Sequence, residues 1–354
     1  MSKTPSGKPK APSIKDVAAL AGVSVPTVSR YLNTPDRVRE EKRMAVAEAI
    51  RKLDYHPNSI ARALVSEQSK QCLVLSSDIA LYGQYQTIRG IENAASRHGY
   101  SVAISLIDGS SQRHIENSVR EGLNHNPGAI ILLDFDKTSA VQSLIPKRIP
   151  LVVVAGDPDT PAAQLALGEY EGAQTVTRHL LERLDLAGHP DATVHFVGIH
   201  AGSGLDRREN GWADALMQAG RRVPEPVRLG WDVLEAEQEG LRLASLKQPI
   251  RAVFAANDEA AMGVIRGLEQ GGVFVPHDVL VAGFDDHPLS KIWNPPITTI
   301  RQNFFAAGVQ AFSMLLPMID DVANGKEHGD HWHARHEMIG DLIIRSSSAS
   351  VPAR

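Results

Sequence analysis

Hydrogen-bonding side chains crowd the ten residues 24–33, Ser24, Thr27, Ser29, Arg30 and Asn33 foremost, with Val25 and Pro26 among them. That mixture suits a reader of double-stranded DNA. A guanidinium can pair with two acceptors on a guanine edge, so Arg30 is the expected base reader. Val25 and Pro26 can offer only apolar contacts, as to a thymine methyl, while Ser24, Thr27, Ser29 and Asn33 would position on phosphates. A second set is scattered along the chain: Tyr82, Gln84, Tyr85, Asp134, Arg208, Trp231, Asn257, Asp285, Gln302 and Phe304. Acids, amides and arginine beside flat aromatic rings fit a polyhydroxylated ligand, whose vicinal hydroxyls meet planar groups and whose C–H faces meet rings.

Other chemistry finds little support. His331, His333 and His336 in HGDHWHARHE invite a metal reading. The alternation of an exposed edge strand would put His331 and His333 on one face and His336 on the other, and the spacing fits no standard zinc pattern. Gly202, Ser203 and Gly204 lack the Lys-Ser/Thr ending of a phosphate loop. No nucleophile stands beside a base, so neither an enzyme nor a bound metal or cofactor is expected. The single cysteine, Cys72, excludes an internal disulfide framework and fits a reducing cytoplasm. No apolar run reaches the roughly 18 residues of a membrane span, and the first residues carry no apolar signal region, so no membrane partner is expected.

Charge is unevenly divided. Residues 1–69 hold 12 Lys and Arg against 7 acids, whereas the remainder holds 25 against 34. A basic start and an acidic bulk confine contact with phosphates to the start.

The elements that must position the first set can be read from spacing. In SIKDVAALAGVSVPTVSRYLN, residues 13–33, Ile14, Val17, Ala18 and Ala21 recur at helical period. Ala18 permits close approach of two helices, Gly22 supplies a left-handed turn, and Val28 fills the space between them. Ser24 stands where an N-cap belongs and Pro26 falls in the first helical turn. A helix that presents its first side chains in this way is what enters a major groove. A third amphipathic helix, EEKRMAVAEAIRKLDY, would turn Met44, Val46, Ala47, Ile50 and Leu53 to one side.

From Gln71 onward, short apolar runs (CLVLSS, SVAISLI, AIILLD, LVVVAG) alternate with helical stretches at residues 84–98, 111–124 and 139–145, and a second such series follows. This is the pattern of parallel βαβ units, and two series imply two doubly wound lobes. Ligands of such sheets sit beyond the carboxyl ends of the strands, which is where the second set falls. Within it, Asp258 is expected to cap the helix DEAAMGVIRGLEQ, leaving Asn257 to the ligand. Asp286 is expected to make structural turn bonds, leaving Asp285.

The runs DVAALAGVSVPTVSRYLN and DYHPNSIARAL are similar to the signature of the LacI/GalR family of transcriptional regulators, and the resemblance extends over nearly all of the 354 residues. It implies an all-α helix-turn-helix headpiece followed by an α/β body of two doubly wound parallel-sheet lobes, like a periplasmic binding protein. The expected divisions are a disordered basic tail (1–12), the headpiece (13–56), a hinge helix and linker (57–70), the body (71–346) and a tail (347–354). The resemblance also implies three crossings between lobes, near Leu165, Asn294 and Gly325. The first lobe would then hold 71–165 and 295–325, and the second 166–294 and 326–346.

By the same resemblance Ala61 and Leu64 match hinge positions that wedge into the minor groove, and Tyr55 and Asn58 join the DNA-contacting set. Arg208, Asn257, Asp285 and Gln302 match effector-contacting positions, with Trp231 nearby. Tyr82, Gln84 and Tyr85 depart from the family pattern at their helix start, which leaves the identity of a sugar effector open. The implied function is a repressor of carbohydrate-metabolism genes in the cytoplasm, associated with the nucleoid. It would bind a pseudo-palindromic operator as a homodimer, with no heptad repeat at its end to build a tetramer. A same-fold regulator answering to a nucleobase corepressor or a phosphoprotein is the alternative. A solute-binding protein would need a secretory signal in place of the headpiece.

Overall fold

The computed structural model describes residues 12–55, 69–134, 140–156, 161–199, 207–326 and 328–349. The chain divides into two compact units, Met1–Gln68 and Ser69–Arg354.

The first unit contains α1 (Ile14–Ala21), α2 (Val25–Asn33) and α3 (Glu40–Leu53). Asp16 reaches back to accept from the Ser13 N–H and hydroxyl, each at 2.7 Å, which closes the start of α1. Gly22 ends that helix at φ 64°, and the Val23 N–H then donates to the Ala18 carbonyl at 3.0 Å. Ser24 caps α2 by accepting from the Thr27 N–H at 3.4 Å. Val17, Ala18, Val28, Val46, Ala49 and Tyr55 form the core of the unit. The expected face of α3 is only partly correct. Met44 is 66% exposed and Ala47 is also exposed. The buried stripe is Val46, Ala49, Ile50 and Leu53, and Met44 stands about 200° around the helix from Val46.

In the second unit the first lobe is built on β1 (Gln71–Ser76), α4 (Tyr82–Arg97), β2 (Ser101–Leu106), α5 (Gln112–Leu123), β3 (Ala129–Leu133), α6 (Ala140–Ser143), β4 (Leu151–Val154) and β5 (Ala163–Ala166). The second lobe follows with α7 (Glu169–Leu186), β6 (Val194–Ile199), α8 (Arg207–Gln218), β7 (Val227–Leu229), α9 (Val233–Ala244), β8 (Ala252–Ala255), α10 (Asp258–Gln270) and β9 (Leu280–Ala282). The chain then returns through β10 (Thr299–Arg301), α11 (Phe304–Ala323), β11 (Arg335–Glu337), β12 (Asp341–Ile343) and α12 (Ser346–Ala349).

The described strands form a six-stranded sheet of order β11-β5-β4-β3-β1-β2, a four-stranded sheet of order β7-β6-β8-β9, and a ribbon of β10 with β12. Every pair in the two larger sheets is parallel. Alternation along the strands feeds a core on each face. In the first lobe Cys72 and Val74 join α4 and α11, while Leu73 and Leu75 join α5. In the second, Phe196 and Phe254 lie with α7 and α8, while Val197 and Val253 lie with α9 and α10. Helices on both faces make each lobe doubly wound.

Two of the crossings fall later than expected. Ile297 and Ile300 still belong to the second lobe's cores, so the return to the first lobe comes at residues 301–304, after β10. The chain then stays with the first lobe through β11, which pairs with β5, and leaves only after Glu337. Arg335, His336 and Glu337 are all exposed, and a three-residue polar edge strand carries no apolar period to betray it. Residues 330–333, expected in an extended edge, form instead a 3-10 helix with Trp332 buried inside it. His331 pairs with Asp321 at 2.6 Å and His333 with the Pro161 carbonyl at 2.6 Å. The expected tail also begins too early. Ser347 and Ser348 are fully buried, and Ser347 donates to the Val281 carbonyl while accepting from the Thr298 N–H.

Helix α11 is long and apolar enough to cross a membrane, yet its Phe304, Ala307, Ala311, Phe312 and Leu315 sit in the first lobe's core. It meets α4 at two glycines. A Cβ on Gly90 would stand 2.1 Å from the Phe305 carbonyl oxygen, and one on Gly308 would stand 2.0 Å from that of Thr87. Both obstacles are backbone and cannot rotate away. Gly308→Ala is therefore expected to destabilise the protein by at least the roughly 1–3 kcal/mol of ordinary overpacking, read as a lower urea midpoint. An unchanged midpoint would show that the two helices are not in this contact.

Candidate DNA interface and interlobe cleft

Capping of α2 by Ser24 leaves its first turn facing outward. Pro26 and Arg30, four residues apart and hence on one face, are exposed, and the Arg30 guanidinium has no hydrogen bond or ion pair among the described residues, the Arg30 carbonyl accepting from the Thr34 hydroxyl. Ser24 is exposed, while Thr27 and Ser29 are half-buried. Val25 is half-buried against the headpiece core, which limits what it can offer a base. Tyr55 departs from expectation: it is 9% exposed and belongs to that core. The left-handed Asp54, at φ 49°, turns the chain so that the Tyr55 N–H bonds the Ile50 carbonyl at 3.0 Å and the ring folds inward. Asn33 ends α2, and Asn58, Ala61 and Leu64 lie outside the described residues.

In the body, Arg208 in the first turn of α8 is the hub. Its Nη2 lies 3.2 Å from Glu169 Oε1 at the start of α7 and 3.3 Å from Asp285 Oδ1 just beyond β9. Its Nη1 donates to the Ala256 carbonyl at the end of β8, and the guanidinium carbon stands 4.3 Å from the centre of the Phe284 ring. One cation thus ties together three strand or helix ends that face the other lobe.

The two neighbouring acids have opposite environments. Burial pushes the Asp285 carboxyl up to about 7, against the pull of Arg208 and with Glu259 and Glu169 adding to the rise. Asp286 is held below the usual range, because hydrogen bonds from Arg345 and Arg301 outweigh its burial. Asp286 is therefore a structural anchor, and Asp285 is the acid poised to change charge.

At the start of α10 the cap lies one residue earlier than expected. Asn257 is the cap, its Oδ1 accepting from the Ala260 N–H at 2.8 Å, and Asp258 is fully buried beneath the loop after β9. An asparagine in extended backbone one residue earlier satisfies the orphan N–H, and that leaves the acid inside the first turn.

Across the cleft Tyr82, at the start of α4, meets His287 edge to face at 4.8 Å and Phe304 at 5.9 Å. Phe304 is 2% exposed and packed in the first lobe's core, so it supports Tyr82 from behind. Gln302 is buried in the crossover and donates to the Leu167 carbonyl at 2.9 Å. Gln84 is buried and accepts from Ser76 at 3.3 Å. Asp134 is buried at the end of β3, its N–H bonded to the Val154 carbonyl. Tyr85 is 48% exposed under the Arg89 guanidinium and has no ring contact with Tyr82, His287 or Phe304. Trp231 is 44% exposed, and the second lobe's core tryptophan is Trp212.

Sequence reasoning missed Glu169, Phe284, Glu259 and His287. All four follow a turn or open a helix, where an acid or an aromatic reads as capping or packing. Two surface depressions lie elsewhere, one lined by Leu241, Arg242 and Gly271 and the other by Met314, Pro317, His331 and His336. Neither gathers acids around a cation as the cleft does.

Comparison with known proteins agrees with this architecture. Residues 13–58 match the family model described as bacterial regulatory proteins, lacI family, and residues 178–348 match the periplasmic binding protein-like domain. The HTH-type transcriptional repressor PurR of Pasteurella multocida is 28% identical over 349 residues, spanning 96% of this chain and 99% of its own. The HTH-type transcriptional regulator RegA of Clostridium saccharobutylicum is 29% identical over 93% of this chain and 98% of its own. Among solved structures, a lac repressor dimer bound to operator and the anti-inducer ONPF superposes with a TM-score of 0.81 at 25% identity, covering 96% of this chain and 99% of that one.

Because its folded value lies above the ordinary 3.8, the Asp285 carboxyl costs stability that is absent below about pH 4 and grows until about pH 7. A carboxyl carbon resonance assigned to Asp285 is expected to titrate with a midpoint near 7, and Arg208→Gln should move that midpoint upward. A midpoint near 4 in the wild type would contradict the burial described here.

Proposed function

Given that this chain belongs to the LacI family of bacterial regulatory proteins and is a DNA-binding transcriptional repressor, we propose that its effector is an uncharged, sugar-like polyol bound between the lobes. The observation that carries this reading is the engagement of Arg208 by Glu169 and Asp285. A guanidinium already met by two carboxylates offers little to a phosphate or an acid, whereas carboxylates lining the same wall accept from hydroxyls. Tyr82 and Trp231 supply ring faces for the C–H surface of a sugar. Asp134, Asn257 and Gln302 would contribute polar contacts from the strand ends and the crossover.

The mechanism is a population shift. Two bodies in a homodimer hold their hinge segments, with Ala61 and Leu64, close enough to fold together in the minor groove, while Pro26 and Arg30 read bases in the major groove. An isolated helix of that length does not persist in water, so hinge order depends on the spacing of the bodies. An effector that prefers one lobe arrangement changes that spacing. Coupling of roughly 1–3 kcal/mol would alter operator affinity about 5- to 150-fold. The regulated genes would then serve carbohydrate metabolism.

Thermal-shift titration of the full chain against hexoses, disaccharides, sugar phosphates and purines tests the effector class, because a ligand of the folded state raises the unfolding temperature by an amount that grows with the logarithm of its concentration above Kd. Neutral sugars are expected to stabilise the protein. Stabilisation by purines alone would replace this reading with that of a nucleobase corepressor. Arg30→Ala is expected to cost about 1–3 kcal/mol of operator affinity and relax base preference at one position of each half-site. Leu64→Ala should weaken specific binding while leaving the thermal shift intact, and equal operator affinity in that variant would remove the wedge.

A further inference from the structure

The loop of residues 283–287 walls the second lobe's side of the cleft, and one buried side chain holds it from beneath. The backbone N–H of Asp258 donates to the Phe284 carbonyl at 2.9 Å, and its Oδ2 accepts from the His287 N–H at 2.6 Å. A single residue therefore clamps the loop on both sides of Asp285 and Asp286, which stand at φ 99° and 53°. Side-chain-bearing residues leave such conformations unless their surroundings over-determine them. Gly283 is matched to the same carboxyl, since a Cβ there would lie 2.3 Å from Asp258 Oδ1 and 3.1 Å from its Cα. Asp258 is fully buried, and its Oδ1 has no hydrogen-bond partner among the described residues.

We propose that Asp258 is the positioning residue of the effector site, holding the 283–287 loop so that Asp285 meets Arg208 and His287 meets Tyr82. This rests on the cleft reading above and adds to it a residue that touches neither effector nor DNA. The groups facing Asp258 are Glu259 of its own helix, Asp285 and His287 of the loop, Thr299 of β10, and Tyr82 across the cleft. Burial first, and then the neighbouring acids, push its carboxyl well above the usual range, with Thr299 and the His287 N–H opposing. The fold therefore holds Asp258 as the uncharged acid, whose shape and hydrogen bonding an amide can copy.

Holding that proton costs stability that is absent at acid pH and grows as pH rises through the ordinary carboxylate range. Asp258→Asn removes the cost, and Asp258→Ala removes the side-chain half of the clamp, the bond to the His287 N–H, while keeping the backbone bond to Phe284. The test uses the full chain without effector. It reads hydrogen exchange in a peptide covering the loop, and thermal unfolding between about pH 4 and pH 7.5.

In D258A the loop amides are expected to exchange about 10-fold faster or more, the scale of one lost buried hydrogen bond, while D258N stays near the wild type. The unfolding temperature of D258N relative to the wild type is expected to rise with pH. A D258A loop as protected as the wild type, a D258N loop as open as that of D258A, or a relative unfolding temperature that falls with pH would overturn the proposal. Should D258A fail to fold, the exchange and pH trend of D258N decide alone. A ligand panel in which nothing stabilises the wild type would sink the cleft reading and leave this test standing.

Discussion

One guanidinium organises the body. Arg208 lies within hydrogen-bonding or ion-pair reach of Glu169, Asp285 and the Ala256 carbonyl, and over the face of Phe284, so the starts of α7 and α8 and the ends of β8 and β9 are referred to one point. Burying any of these charges alone would cost several kcal/mol, and the attraction within the cluster offsets that only while the geometry holds. A single positive charge cannot balance every acid around it. Burial first, and the neighbouring acids after it, push the Asp285 carboxyl up to about 7, while that of Asp286, a residue away, is held low by Arg345 and Arg301. A wall built in this way is rich in acceptors and poor in spare positive charge, and that sets which ligands it can welcome.

The rest of the body serves to bring that wall opposite Tyr82. The strand ends of both parallel sheets face the cleft because every described pair within them runs the same way. The lobes are joined where the chain leaves β5 and through the β10 and β12 ribbon, a narrow connection between two separately packed cores. Packed cores resist deformation, so relative movement concentrates in such connections. Gln302 lies beside this ribbon and bonds the Leu167 carbonyl in the first connection, which ties the crossings to each other. The glycine contact of α4 with α11 keeps Tyr82 and the end of the crossover on one rigid piece.

Much of the headpiece was legible because local rules decide it. Gly22, Ser24 and Val28 each perform the task that their type and spacing announce, since a left-handed turn, a cap and a small filled gap depend on near neighbours. The face of α3 was less legible. Met44 and Val46 are equally apolar, and only the position of α1 decides which of them is buried. Tyr55 illustrates the same limit, as its inward turn depends on the left-handed Asp54.

For the body, the alternation of apolar runs with amphipathic stretches was enough to determine two doubly wound lobes, because burial on both faces of a parallel sheet imposes that pattern. The positions of Arg208 and Asp285 could be found in the chain, as could the different fates of Asp285 and Asp286. Tertiary structure alone decided that Asn257 and not Asp258 caps α10, that β11 extends the first lobe's sheet, and that Phe304 stands behind Tyr82. The physical reason is common to all three. Periodicity and capping preference describe a segment against water, whereas these outcomes depend on which distant segment replaces the water, and a short polar strand or a buried acid carries no local sign of its partner.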